Sequence, residues 1–339
     1  MALAATFLGG AKGRLLAPSI PFRFFGTAVL FQVLAWGVLL AAADQVSHYR
    51  GGLGWPLAAL HLVTLGVLVM TAMGASLQLL PVATRQPVAA SRWPYEAVWG
   101  LFSGGVLALT TGMALVLPAW MLGGAVVVAL ALLGYLMLLA RNLRGAKGMG
   151  VVVVHGWAAG LSLLVLLGTG LSLVSAYSGV TWLARPNALG LHVAFGAYGF
   201  LGLLVMGFSY ILVPMFALAA NPAPRWAQLS VGLALAALSL ALLIAIEWLP
   251  TATLAAGIGL GALALVIHVA LMLQALRSGM RRDLGTSFVL VRGGWAALLA
   301  SLLLALARQF GALPVLGAGL FGVLLVGGLL TLLLGMLSR

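Results

Sequence analysis

Apolar residues run through this chain in long stretches, and polar positions are confined to short breaks between them. A helix rises 1.5 Å per residue, so about 20 apolar residues cross the hydrocarbon core of a bilayer. Ten stretches reach that length: 22–43, 56–80, 95–117, 119–141, 150–175, 187–218, 227–248, 252–276, 286–308 and 312–338. The sixth is long enough to tilt or to extend beyond the bilayer. Pro56, Pro94, Pro118 and Pro250 stand at segment edges, where a missing N–H costs least. Trp55, Trp93, Trp120, Trp182, Trp226 and Trp248 stand near edges too, as an interfacial aromatic belt would. The pattern predicts an all-α fold, a polytopic bundle of about ten transmembrane helices. Residues 1–339 read as a single transmembrane domain, because the breaks hold no soluble domain or long linker. Residues 1–21 read as a cytoplasmic or interfacial lead-in. Their apolar run is short, and Lys12 and Arg14 follow it rather than precede it, unlike a cleavable signal peptide.

Composition agrees: 64% of the residues are hydrophobic and 6% charged, where a soluble domain carries about 25% charged. The net charge of +13 could suggest a nucleic-acid partner, but its distribution marks topology instead. With the N-terminus inside, only Arg50, Arg185 and Arg308 of the 17 Lys and Arg residues fall on the outer side. Lys and Arg concentrate in cytoplasmic loops, so both termini are expected in the cytoplasm, with the chain in a bacterial inner membrane. The chain has no cysteine, which excludes disulfides, iron–sulfur clusters, thiolate metal sites and covalently attached c-type haem.

Two stretches repeat one another. The second starts near His61 and ends Met73-Gly74-Ala75-Ser76-Leu77-Gln78-Leu79-Leu80-Pro81. The sixth starts near His192 and ends Met206-Gly207-Phe208-Ser209-Tyr210-Ile211-Leu212-Val213-Pro214. Both read M-G-x-S-x-x-L-x-P behind a histidine, and both run outside to inside. The offset is four helices in parallel orientation, the mark of a duplicated bundle.

An ionisable side chain inside a membrane helix is costly and marks a candidate functional site. His48 falls in an outer loop, whereas His61, His155, His192 and His268 fall within helices. His61 and His192 each lie ~8 Å from the outer end of their segments, at 1.5 Å per residue. His155 lies a similar distance from the inner end of segment five, and His268 roughly 12 Å from the inner end of segment eight. Depth therefore sorts the four into an outer and an inner pair, the arrangement of two bis-histidine b-type haems stacked across a membrane. A bare metal such as copper, or histidines serving only structure or proton relay, would satisfy the same pattern. Gly196 and Gly199 share the face of His192, and Gly257, Gly261 and Ala264 lead to His268. Such grooves suit a macrocycle and equally a helix–helix interface. Arg50, Arg185 and Arg308 are candidates for holding the propionates of an outer haem, since Arg binds carboxylates bidentately. Arg277, Arg281, Arg282 and Asp283 could serve inner propionates or a phospholipid.

The segment from His61 through M-G-A-S-x-x-L-L-P resembles helix two of the haem–copper oxidase superfamily, especially its nitric oxide reductase branch. Pro21-Phe22-Arg23-Phe24-Phe25 resembles the start of NnrS-like membrane proteins, and L-V-P-M-F at 212–216 resembles small relatives of oxidase subunit one. The resemblance covers about half the chain. It implies a haem–copper-oxidase-like bundle built in arcs of four helices, with His61 as a haem b ligand. The departures matter as much. Segment ten lacks the two histidines the family carries on its tenth helix, and segment seven lacks the His-His pair of the copper site. The binuclear centre is therefore not expected. The combined expectation is a b-type cytochrome-like membrane protein with one or two haems b, copper being a second candidate. It would pass electrons between a quinol, or a membrane or periplasmic partner subunit, and an acceptor. Its ligands would be His61, His192, His155 and His268. The alternatives are an NnrS-like nitric oxide or copper-handling protein, and a cofactor-free anchor or transporter subunit.

Overall fold

The structure is a computed structural model that describes residues 13–46, 48–87, 91–281, 283–311 and 317–338. Lys12, Arg282 and Arg339, counted above among the basic residues, lie outside the described residues, as does most of the 1–21 lead-in. The described residues form helices and no strands. Ten helices are long and apolar enough to cross a membrane. They are α1 Ser19–Ala41, α2 Trp55–Thr84, α3 Trp93–Ala114, α4 Pro118–Arg144, α5 Gly150–Ser175, α6 Arg185–Ala217, α7 Pro224–Ala245, α8 Leu254–Ser278, α9 Gly285–Gln309 and α10 Gly317–Leu337. All ten predicted stretches are present, and the protein is an all-α, multi-pass membrane bundle. Most boundaries shift by only a few residues. Proline opens α2, α3, α4 and α7, where the first turn has no partner for its N–H groups anyway. Trp93, Trp120, Trp182, Trp226 and Trp248 are exposed, as belt residues should be.

The helices group into two compact units. The first contains α1–α4 and Leu167–Leu189; the second contains Met149–Leu166 of α5, the part of α6 from Gly190 onward, and α7–α10. In the first unit α3 pairs with α4 along its length, while α1 packs on α2. Gly112 and Gly124 let α3 and α4 meet backbone to backbone: a Cβ on either would collide with the main chain of Met121 or Leu109. In the second unit α7 pairs with α8 and α9 with α10.

The sequence repeat is a structural repeat. Both α2 and α6 switch from α-helix to π-helix, at Leu62–Val69 and Ala194–Gly202, and back to α-helix for a final 15 residues. Both keep a proline inside the last turn, Pro81 and Pro214, and both end on a left-handed residue, Arg85 at φ 58° and Leu218 at φ 52°. Past each cap the chain bonds back to the proline carbonyl, Gln86 N to Pro81 O at 3.0 Å and Ala219 N to Pro214 O at 2.9 Å. A second stitch then ties each pair of hairpins together. Lys147 N, after α4, donates to Thr84 O at 2.8 Å, and Arg281 N, after α8, donates to Ala217 O at 3.2 Å.

The helix in front of each repeat obeys the same rule. A Cβ on Gly66 would lie 2.6 Å from the Phe31 ring, and one on Gly74 would lie 2.8 Å from Phe24 Cβ. At the matching positions, a Cβ on Gly199 would lie 2.8 Å from Ser162 Cβ, and one on Gly207 would lie 2.7 Å from His155 Cβ. Thus α1 rides on the glycines of α2 as α5 rides on those of α6. Close approach through small residues is how helices associate where lipid removes the hydrophobic drive between them.

Candidate metal centre

Five helices of the second unit converge on one buried polar cluster. His155 comes from α5, Tyr210 from α6, Ser230 from α7, His268 from α8 and Trp295 from α9. The rings follow in sequence: His155 to Tyr210 at 5.4 Å between centroids, Tyr210 to His268 at 5.2 Å edge-on, and His268 to Trp295 at 6.3 Å edge-on. His155 is 1% exposed, His268 0%, and Tyr210 and Trp295 3% each. Gly207 places α6 against the Cβ of His155, which brings Tyr210 alongside the imidazole.

A hydrogen bond assigns the tautomer of His155. His155 Nδ1 lies 2.8 Å from Val151 O. A carbonyl only accepts, so Nδ1 carries the proton and Nε2 a lone pair. His268 Nδ1 lies 3.2 Å from the Tyr210 hydroxyl. Beyond it, Ser230 Oγ donates to Ala264 O at 2.8 Å. A phenol hydroxyl both donates and accepts, so its bond to His268 Nδ1 is compatible with either tautomer of that ring. Both Nε2 atoms, and the Trp295 indole N–H, are buried with no hydrogen-bond partner among the described residues. An unmet polar group of this kind costs about 1–3 kcal/mol, and a histidine whose Nδ1–H is held by a carbonyl or hydroxyl while Nε2 is open is set up as a metal ligand.

Each ring offers a buried Nε2 to a metal, His155 with its Nδ1–H held by the Val151 carbonyl and His268 with its Nδ1 bonded to the Tyr210 hydroxyl. Among the described residues, no group of three His, Asp or Glu side chains gathers around one point. A group held here would take its remaining coordination from elsewhere, or use only the two nitrogens. A macrocycle would require Tyr210 or Trp295 to turn aside, because their rings occupy the flanks of the two imidazoles.

The remaining expected residues are distributed as follows. His61 closes the first α-helical turns of α2, immediately before the π-helical stretch, and its Nδ1 lies 3.0 Å from Leu57 O. His192 stands just before the π-helical stretch of α6. His61 belongs to the first unit and His192 to the second. Arg50, Arg185 and Arg308 are all exposed. Arg185 donates to the Tyr177 hydroxyl at 2.7 Å and covers its ring at 5.0 Å. Nearby, burial pushes the Tyr49 phenol above its usual range, Tyr177 adds to the rise, and Arg185 opposes it. Arg277 lines a surface groove with Gln274 and Ser278, and Asp283 accepts from Gly285 N at 2.9 Å, at the start of α9. The sequence reading paired His155 with His268 by depth, and the fold brings them into one cluster. It did not single out Tyr210, Ser230 or Trp295, although Tyr210 lies inside the repeated motif, where the first copy has Leu77. No protein-family model matches the chain, and no curated protein matches it.

Proposed function

We propose that this protein is a membrane-embedded electron carrier whose redox metal group is held by His155 and His268. The observation that supports it is the pair of buried Nε2 atoms with no hydrogen-bond partner among the described residues, each on a ring held at Nδ1. The resemblance to haem–copper oxidases implies haem b as the group, which supplies a one-electron couple when bound. The two imidazoles would be its ligands. The Val151 carbonyl and the Tyr210 hydroxyl would hold the two rings in place. The missing histidines of α7 and α10 argue for electron transfer rather than oxygen or nitric oxide reduction. Both termini would be cytoplasmic, in a bacterial inner membrane, with quinol or a partner subunit as donor. His61 in the first unit and His192 in the second each stand as a further ligand candidate. The tight flanking rings favour a second reading, a bare ion such as copper.

The test is a reduced-minus-oxidised visible spectrum of the purified protein, together with haem and copper analysis. A haem α-band, or bound copper, that disappears in His155→Ala and His268→Ala and survives in His48→Ala supports the reading. Loss in His61→Ala or His192→Ala would add that histidine to the ligands. A colourless, metal-free protein refutes the carrier and favours the anchor or transporter.

A further inference from the structure

The buried cluster has a counterpart in the first unit. The sequence spacing that separates Gly74 from Gly207 and Ser76 from Ser209 also separates Leu77 from Tyr210 and Tyr135 from His268. The glycine contacts match Phe24 to His155, since Gly74 abuts Phe24 Cβ as Gly207 abuts His155 Cβ. In the first unit these places hold Phe24, Leu77 and Tyr135, exposed by 1%, 7% and 0%. Tyr135 bonds Ser76 Oγ at 2.8 Å, and Ser76 donates on to Met73 O at 3.0 Å, so its polar atom is satisfied locally. We infer that the first unit carries a silent copy of the metal centre, in which Phe24 and Tyr135 fill the places of the two ligand imidazoles. Phe24→His with Tyr135→His would then install a second two-imidazole metal site, completed by Leu77→Tyr as the group that bonds one Nδ1, as Tyr210 bonds His268. The metal-binding part rests on the reading above; the equivalence of the two places does not.

Two exchanges test it. The first is the triple variant Phe24→His, Leu77→Tyr, Tyr135→His in the full chain, with haem counted by the pyridine haemochrome and copper by Cu(I) titration. Twice the wild-type count of whichever group binds supports the silent copy; a folded variant with the wild-type count overturns it. The reverse exchange, His155→Phe, Tyr210→Leu and His268→Tyr, needs no cofactor. It replaces both orphaned nitrogens with the trio that the first unit already packs, and Ser209 stands where Ser76 receives the Tyr135 hydroxyl. Thermal unfolding in detergent should hold or rise by a few degrees, and a fall of several degrees overturns the equivalence. A wild type that binds neither haem nor Cu(I) would remove the carrier reading and the second metal site with it. The reverse exchange would still decide whether the two places correspond.

Discussion

Substitution Gly207→Ala probes the support of the cluster directly. The new Cβ would sit 2.7 Å from His155 Cβ, where ordinary contact begins at 3.4 Å. Both carbons are fixed by their backbones, so no rotamer change relieves the overlap, and α5 and α6 must move apart. Overpacking of this kind costs about 1–3 kcal/mol. Gly190→Ala, on the same helix, meets nothing within 4 Å. It should gain roughly 0.5–1 kcal/mol from the better helix propensity of alanine. The two variants should therefore differ by about 1.5–4 kcal/mol. At roughly 2–4 °C per kcal/mol for a domain of this order of size, the melting temperatures should separate by at least ~3 °C. Fluorescence-detected thermal unfolding in detergent reads the difference. Gly74→Ala should fall with Gly207→Ala, because its Cβ meets Phe24 Cβ at 2.8 Å. Equal melting temperatures for Gly207→Ala and Gly190→Ala would refute the close α5–α6 packing, and with it the placement of His155 beside Tyr210.

Tyr210→Phe removes the hydroxyl bonded to His268 Nδ1 and should cost about 1–3 kcal/mol. In ¹⁵N spectra of histidine-labelled protein, the signals of His268, not those of His155, should shift to a new tautomer balance. Unchanged His268 signals would contradict the Tyr210–His268 bond. Ser76→Ala strands the Tyr135 hydroxyl and should cost about 1–3 kcal/mol, whereas Ser76→Ala with Tyr135→Phe should be nearly neutral; a double-mutant cycle without coupling would rule out that bond. The absence of native cysteine makes single-cysteine labelling clean. Gln86→Cys should react from the cytoplasmic side and Val180→Cys from the outer side, and the opposite result would invert the topology.

Helices were the most legible level of the sequence, because a run of about 20 apolar residues has few fates other than a membrane span. The duplication was legible only where its residues are constrained. Gly74 and Gly207 cannot grow without collision, and Pro81 and Pro214 sit at a shared left-handed ending, so those letters persisted. Between α1 and α5 the correspondence was invisible, since Phe24 and His155 share a place and no chemistry. The π-helical stretches left no signature either, because an i→i+5 turn is set by what the helix must pack against rather than by local propensity. Pairing His155 with His268 needed only helix rise and a count of residues. Tyr210, Ser230 and Trp295 escaped because an aromatic or serine on a membrane helix reads as packing until its partner is in view. The grouping of the helices into two units left no mark in the sequence, since no break among the ten stretches is long enough to show it.

The stitches from Lys147 to Thr84 and from Arg281 to Ala217 close each copy after four helices. Four is even, so a chain that enters the bilayer at one face leaves a copy at the face where it began. A tandem duplication of such a module is born right side up: the second copy threads with the same polarity as the first and needs no new charge bias to set it. The pair α9 and α10 is also even and preserves that polarity to the end of the chain. Descent from a single gene copy could then proceed in one step, after which the two halves were free to differ at the places of Phe24 and His155, and of Tyr135 and His268, while both kept the fold.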